Sequence, residues 1–173
     1  VTVLEDDLAP DGSELHTDEV DPPSPWTVPQ TDEERGMADW LEKSLAESPA
    51  RWKIVIGHHP LWSSAGSKFQ QARALRELIL PALCRHADLY LAGHEHTLEA
   101  QTDDCRAVPD AQGRPPLGQV VSGAAAKQRP LNTAFARHQE AATPPLDSLY
   151  AAGLAWGFTR VTVAAGRGTI GMI

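Results

Sequence analysis

Two short apolar runs that each end in Gly-His constrain the fold of this chain most strongly. They cover residues 52–56 and 88–92. Runs of this length, rich in β-branched or large apolar residues, are typical of strands buried in a sheet. Apolar residues at helical spacing over 67–80 lie between the two runs. The whole segment therefore predicts a right-handed strand–helix–strand crossover with two parallel strands.

The rest of the chain extends this pattern to a layered α/β domain with a mixed sheet. Thr31 and Glu34 form a capping box that predicts a helix over 32–48. Pro81 is expected to kink or end the helix that covers 67–80. Residues 124–149 are expected to form an ordered but irregular excursion. Further strands are predicted at 1–4, 97–101, 118–122, 155–163 and 168–172.

Length and charge limit the classes of protein to consider. With 173 residues the chain fits one domain, 1–173, and its net charge of −8 is concentrated in the first 34 residues, which hold eleven acids and no Lys or Arg. Residues 5–31 are rich in Pro and are expected to form an acidic loop. No basic stripe is present, so we expect no nucleic-acid partner. No apolar run is long enough to span a membrane.

Four of the seven histidines follow the two predicted strands directly, and they are His58, His59, His94 and His96. The carboxyl ends of parallel strands meet at one edge of the sheet, where ligands bind in open α/β folds. The Gly before each His is expected to allow a tight turn because it lacks a Cβ. Since neutral imidazole is a preferred ligand of zinc, iron and manganese-type centres, this edge is a candidate metal site.

The two histidine motifs resemble those of a known family. Ile54-Val-Ile-Gly-His-His-Pro and Leu89-Tyr-Leu-Ala-Gly-His-Glu-His are similar to the last two motifs of the calcineurin-like metallophosphoesterases. Together with Val120-Val-Ser-Gly, they look most like the purple, tartrate-resistant acid phosphatase branch. The resemblance implies half of a four-layer sandwich fold. It also implies hydrolysis of phosphate esters, acid-phosphatase-like and acting on a small phosphorylated substrate, at a dinuclear centre of two Fe, Mn or Zn ions.

The resemblance also assigns roles to individual residues. His58 and His94 would bind one metal ion and His96 the other. His59 would face the substrate or support a ligand, which makes it the candidate catalytic residue. Relatives of this kind are often exported, which favours an exported or periplasmic protein.

The family's earlier motifs, DxH, GDxxD and GNHD or GNHE, do not occur in these 173 residues. We therefore expect the chain to be the C-terminal part of a longer metallophosphoesterase domain, and to be weakly active or inactive by itself. The alternative is a non-catalytic metal-binding or regulatory relative that lacks the full ligand set.

Four further residues are candidates for substrate binding. Trp62 follows the first histidine motif and could line the substrate site, although a core position is equally compatible with its surroundings. Ser63, Lys127 and Arg129 could contact a phosphate, although loop-forming composition also accounts for Ser63. Two cysteines are present, at positions 84 and 105, and they could form one disulfide or remain thiols.

Overall fold

The computed structural model describes residues 31–65, 73–132 and 146–173. Two helices and a five-stranded sheet make up most of this part of the chain, and a two-stranded hairpin follows. The elements are α1 (Asp32–Glu47), β1 (Ile54–Ile56), α2 (Arg73–His86), β2 (Leu89–Ala92), β3 (Leu98–Asp103), β4 (Leu117–Ser122), β5 (Leu146–Ala152), β6 (Thr159–Ala164) and β7 (Arg167–Met172). This is the predicted α/β architecture.

The large sheet is mixed, in the order β1-β2-β4-β3-β5. Strands β1, β2 and β4 are parallel neighbours, whereas β3 pairs antiparallel with both β4 and β5. The predicted parallel crossover from β1 through α2 to β2 is thus confirmed. Because three adjacent strands run the same way, the loops that follow them leave from the same edge of the sheet.

The two helices pack together and supply much of the core. Thr31 caps α1 as predicted, since its side chain accepts a hydrogen bond of 3.1 Å from the backbone N–H of Glu34. Leu41 and Leu45 of α1 and Leu83 of α2 belong to one buried apolar cluster with residues of the sheet. Burial of this apolar stripe holds the helices in place, since an isolated helix of this length is marginal in water.

Of the two outcomes predicted for Pro81, the end of the helix does not occur. The helix continues through Pro81 and ends at His86. Proline in a helix interior removes one hydrogen bond and costs about 3 kcal/mol. In this helix the residues beyond the proline compensate, because Leu83 and Cys84 are buried and Cys84 forms a disulfide with Cys105. The disulfide also decides the question that the sequence left open.

The predicted irregular segment 124–149 is also partly wrong. Strand β5 begins at Leu146 and forms an edge of the sheet by pairing with β3. Its residues 147–150 are exposed, so the strand has no alternation of apolar and polar residues that could reveal it. The predicted strand at 1–4 and the loop at 5–31 fall almost entirely outside the described residues, as do residues 67–72 of the second predicted helix.

No helix in the described ranges is long and apolar enough to cross a membrane.

Candidate metal centre

The parallel strands bring the predicted histidines to one edge of the sheet. His58 and His59 follow β1, His94 and His96 follow β2, and Lys127 lies in the loop after β4. Backbone hydrogen bonds fix the first two loops side by side. The N–H of Gly57 donates to the carbonyl of Leu91 at 2.9 Å, and the N–H of Gly93 donates to the carbonyl of His58 at 3.1 Å.

Three imidazoles converge at this edge, those of His58, His59 and His94. One ligand atom from each lies within 4.8 Å of the other two. His94 Nδ1 and His58 Nε2 are 3.3 Å apart. The ring of His59 lies nearest to that of His94, with 4.3 Å between the ring centroids. The sequence predicts that His59 faces the substrate or supports a ligand. In the structure its ring centroid is nearer to that of His94 than the ring centroid of His58 is, since His58 and His94 are 5.1 Å apart.

The separation of one pair of these nitrogens fits a metal ion. Two imidazole nitrogens bound to one tetrahedral ion at the usual bond length lie about 3.3–3.4 Å apart. The 3.3 Å between His94 and His58 matches this separation. His58 is exposed, and the other two side chains are partly buried, so the cluster is open to solvent on one side. An open side is what a catalytic ion needs for water and substrate. His96 is not one of the three converging residues, and its role as ligand of a second ion stays a prediction.

The backbone at these turns differs from the prediction. Gly93 was expected to be needed for the second turn, but a Cβ there would meet only the carbonyl oxygen of His58, at 4.0 Å. The unusual backbone conformation falls on His94 itself, with φ of 58°. Non-glycine residues in this region are uncommon and cluster at functional sites. The expectation holds better for Gly57, where a Cβ would lie 2.0 Å from the Tyr90 hydroxyl oxygen.

Tyr90 contacts the first histidine loop from the interior of the protein. Its side chain is buried, and its hydroxyl donates a 2.8 Å hydrogen bond to the carbonyl of His59. Burial raises the pKa of Tyr90 to about 12, so the hydroxyl keeps its proton and remains a donor. Sequence reasoning missed this residue because it reads as one apolar position in a buried strand.

A buried carboxylate lies behind the second histidine motif. Glu95 is fully buried, with Oε1 3.7 Å from His94 Nε2 and Oε2 3.6 Å from Arg129 Nη1. One nitrogen of His94 therefore faces His58 and the other faces a carboxylate. Metal-binding histidines commonly have an acceptor on the nitrogen that does not bind the ion, because it fixes the ring and its tautomer.

Lys127 and Arg129 lie close to His96. The backbone N–H of Arg129 donates to the carbonyl of His96 at 3.0 Å. The pKa of His96 is lowered by partial burial first, and then by the positive charges of Arg129 and Lys127. These effects favour the neutral imidazole, which is the form that binds metal. Both basic side chains are exposed.

The other two substrate-binding candidates lie in the interior. Trp62 is 5% exposed and Ser63 is fully buried. The Ser63 hydroxyl donates to Glu99 Oε1 at 2.9 Å. The described residues therefore give a phosphate contact by Ser63 no support, because its donor is already used inside the protein.

Comparisons with known proteins show the family of the chain. The sequence profile of the calcineurin-like phosphoesterase family matches residues 11–98, just over half of the chain. The chain is similar to purple acid phosphatase 17 of Arabidopsis thaliana, with 43% identity over 65 residues, which are 37% of this chain and 19% of the relative. It is also similar to purple acid phosphatase 4 of the same plant, with 45% identity over 60 residues, 34% of this chain and 17% of the relative.

A mammalian relative extends the similarity along the chain. The tartrate-resistant acid phosphatase type 5 of Sus scrofa is 34% identical over 91 residues, which are 52% of this chain and 23% of the relative. The aligned part thus spans between 17% and 23% of the length of these three proteins. The family profile covers just over half of the chain and includes both histidine motifs, whose imidazoles converge in the structure. This chain therefore belongs to the calcineurin-like phosphoesterase family.

Proposed function

We propose that this chain contributes the C-terminal histidine ligands of a dinuclear metal centre that hydrolyses phosphate monoesters. In this proposal His58 and His94 bind one ion and His96 binds the other. The observation that carries it is the convergence of His58, His59 and His94 at the carboxyl edge of parallel strands. The similarity to purple acid phosphatases supports the choice of a phosphomonoester and of iron, manganese or zinc as the metal.

Two bound ions would supply a nucleophile at neutral pH and positive charge for the phosphoryl oxygens. The residues of this chain would hold and complete that centre. His59 is a partly buried member of the cluster, and we propose that it meets the substrate or acts as a further ligand. The Glu95 carboxylate lies 3.7 Å from Nε2 of His94 and would act on this ring through its charge, while Nδ1 of the same ring approaches His58.

Lys127 and Arg129 are proposed to bind the phosphate of the substrate. Their support is position and charge, since both side chains are exposed and both act electrostatically on His96. Cationic side chains near the phosphoryl oxygens stabilise their negative charge, both in the bound substrate and in the transition state. The pairing of Arg129 with Glu95 would hold one of the two cations near the site. The remaining metal ligands would have to come from the family's earlier motifs, which do not occur in these 173 residues.

Replacement of a proposed ligand tests this function. In the native protein, we expect His94→Ala to lower kcat for p-nitrophenyl phosphate by at least about 100-fold, because loss of a ligand disrupts the ion that activates the nucleophile. His86→Ala is the matched control, because His86 lies on α2, where it contacts Glu42. This variant should stay within a few-fold of the wild type. A small effect of His94→Ala, or activity that survives removal of metal by a chelator, would show that the assignment is wrong.

The second candidate is a non-catalytic relative that keeps the histidines. It would be favoured if the full-length gene product also lacked the motifs DxH, GDxxD and GNHD or GNHE, which do not occur in these 173 residues. The intact mass of the native polypeptide separates the two candidates. A polypeptide about a hundred residues longer that carries those motifs supports the phosphatase, and one of 173 residues supports a binding or regulatory role.

A further inference from the structure

A buried carboxylate on β3 is the centre of a polar network beside the histidine cluster. Glu99 is fully buried, and its two oxygens accept four hydrogen bonds. Oε1 accepts from the hydroxyls of Ser63 at 2.9 Å and Thr97 at 2.7 Å. Oε2 accepts from the backbone N–H of Ser64 at 2.8 Å and from Gln101 Nε2 at 2.7 Å. The donors are thus shared equally between the two oxygens.

Three of these donors come from the two loops that carry the histidines, and the fourth, Gln101, lies on β3 beside Glu99. Ser63 and Ser64 lie in the loop after β1, four and five residues beyond His59. Thr97 directly follows His96. The carboxylate therefore joins the loop after β1 to the turn after β2, and it does so from inside the protein.

A second buried side chain completes the attachment of the first loop. Gln119 of β4 accepts hydrogen bonds from the backbone N–H groups of Leu61, at 2.6 Å, and Trp62, at 3.2 Å. Its Nε2 donates to the carbonyl of Trp62 and to Gln101 Oε1, both at 2.8 Å. Through Gln101 this attachment is continuous with the carboxylate. The loop is therefore held to the sheet through side chains of β3 and β4.

A charge buried in this way is retained only where its hydrogen bonds are complete, because an ionised group is costly to remove from water. Removal of the carboxylate would leave four buried donors without their acceptor. These donors would then have to bind water or other acceptors. For Ser63, Ser64 and Thr97 this requires movement of the loops on which they lie. Movement of either loop would change the separation of the histidine nitrogens.

We propose that Glu99 is a positioning residue, which holds the two histidine loops at the separation that metal binding requires. This role rests on the proposed function, because positioning the histidines matters only if they bind metal. Its action is geometric: the three hydrogen bonds from Ser63, Ser64 and Thr97 place the loops, and the negative charge itself is not required.

The neutral variant Glu99→Gln separates geometry from charge. Its amide oxygen can accept from Ser64 and Gln101, and its NH₂ can donate to the hydroxyls of Ser63 and Thr97, which rotate to accept. Glu99→Ala removes all four bonds. Asp103→Ala is the matched control, because Asp103 is a buried carboxylate of the same strand that accepts a 2.7 Å bond from the backbone N–H of Cys105, away from the histidine loops.

Two readouts on the native protein test the proposal. The first is the relative affinity for Co²⁺, from its visible absorption and calorimetry, and the second is the imidazole ¹H–¹⁵N spectrum of the chain without added metal. We expect Glu99→Ala to weaken Co²⁺ binding at least tenfold and to shift the signals of His58 and His94. Glu99→Gln should stay within about threefold with little shift. Asp103→Ala should unfold more easily and leave both readouts unchanged.

The outcomes distinguish this inference from the proposed function. A native protein without saturable Co²⁺ binding overturns the metal site, while the imidazole spectra still decide whether Glu99 positions the histidines. Unchanged imidazole signals in folded Glu99→Ala overturn the inference even if Co²⁺ binds. If Glu99→Ala does not fold, Thr97→Val removes one donor and keeps the side-chain shape. It should shift the same signals and weaken binding about threefold, and no change in either would refute the positioning role.

Discussion

The close approach of Gly57 to Tyr90 makes a quantitative prediction about the first histidine loop. A Cβ at position 57 would lie 2.0 Å from the Tyr90 hydroxyl oxygen and 2.8 Å from Cζ, whereas ordinary contacts begin near 3.4 Å. Tyr90 is 2% exposed and donates to the carbonyl of His59. In Gly57→Ala the ring therefore has to move by more than an ångström inside a packed core, and its hydrogen bond is broken.

Two physical costs add in this variant. Overpacking of a core typically costs about 1–3 kcal/mol. A lost hydrogen bond that leaves a buried carbonyl without its donor costs about 1 kcal/mol more. We therefore expect the free energy of unfolding to fall by about 2–4 kcal/mol, a large part of the roughly 5–15 kcal/mol of a typical domain. For a chain of this length that loss corresponds to a Tm lower by roughly 5–15 °C.

Urea unfolding of a double-mutant cycle measures the effect and its cause. Tyr90→Phe removes the oxygen that the new Cβ would meet first, so Gly57→Ala combined with Tyr90→Phe should recover at least about 1 kcal/mol relative to additivity. Gly36→Ala is the control, because Gly36 lies in α1 with nothing within 4 Å of a new Cβ. It should gain about 0.5–1 kcal/mol. A loss below 0.5 kcal/mol in Gly57→Ala, or strict additivity in the cycle, would refute the reasoning.

Two further predictions concern the attachment of α2. Hydrogen bonds from Arg85, with a smaller contribution from His86, hold the pKa of Glu42 below its ordinary value of 4.5, so the stabilisation is complete above that pH and is lost as the pH falls through the lowered pKa. Urea unfolding of Glu42→Gln should show a loss of about 0.5–1 kcal/mol at pH 7 and a smaller loss at pH 3, and equal losses would contradict this. Replacement of Cys84 and Cys105 by Ala removes a cross-link over 21 residues and should cost about 3 kcal/mol in thermal unfolding, which an unchanged Tm would exclude.

Local signals in the sequence account for the elements that carry the site. The capping box at Thr31 predicts where α1 begins, and the apolar runs predict β1 and β2 because each is bounded by a Gly-His pair. These signals involve residues that are close along the chain, so they can be recognised without a fold. The identity of the family follows from the same residues, since both histidine motifs are short and contiguous.

Contacts between distant parts of the chain explain where the predictions failed. Strand β5 exists because it pairs with β3, although its own residues are mostly exposed. The helix passes through Pro81 because buried residues and a disulfide hold the turn beyond it. Neither cause leaves a mark in the local sequence, because each depends on a partner that is supplied by the folded protein.

The candidate site divides in the same way. The sequence by itself determined which side chains lie at the candidate site, because His58, His94 and His96 follow strands whose ends must lie at one edge of a parallel sheet. Only the tertiary structure decided the geometry: that His59 joins the cluster, that Ser63 is committed to Glu99, and that Tyr90 lies under the first loop. The physical reason is that residue type and local spacing select what a side chain can bind. Its direction is set by packing and hydrogen bonds with residues more than thirty positions away.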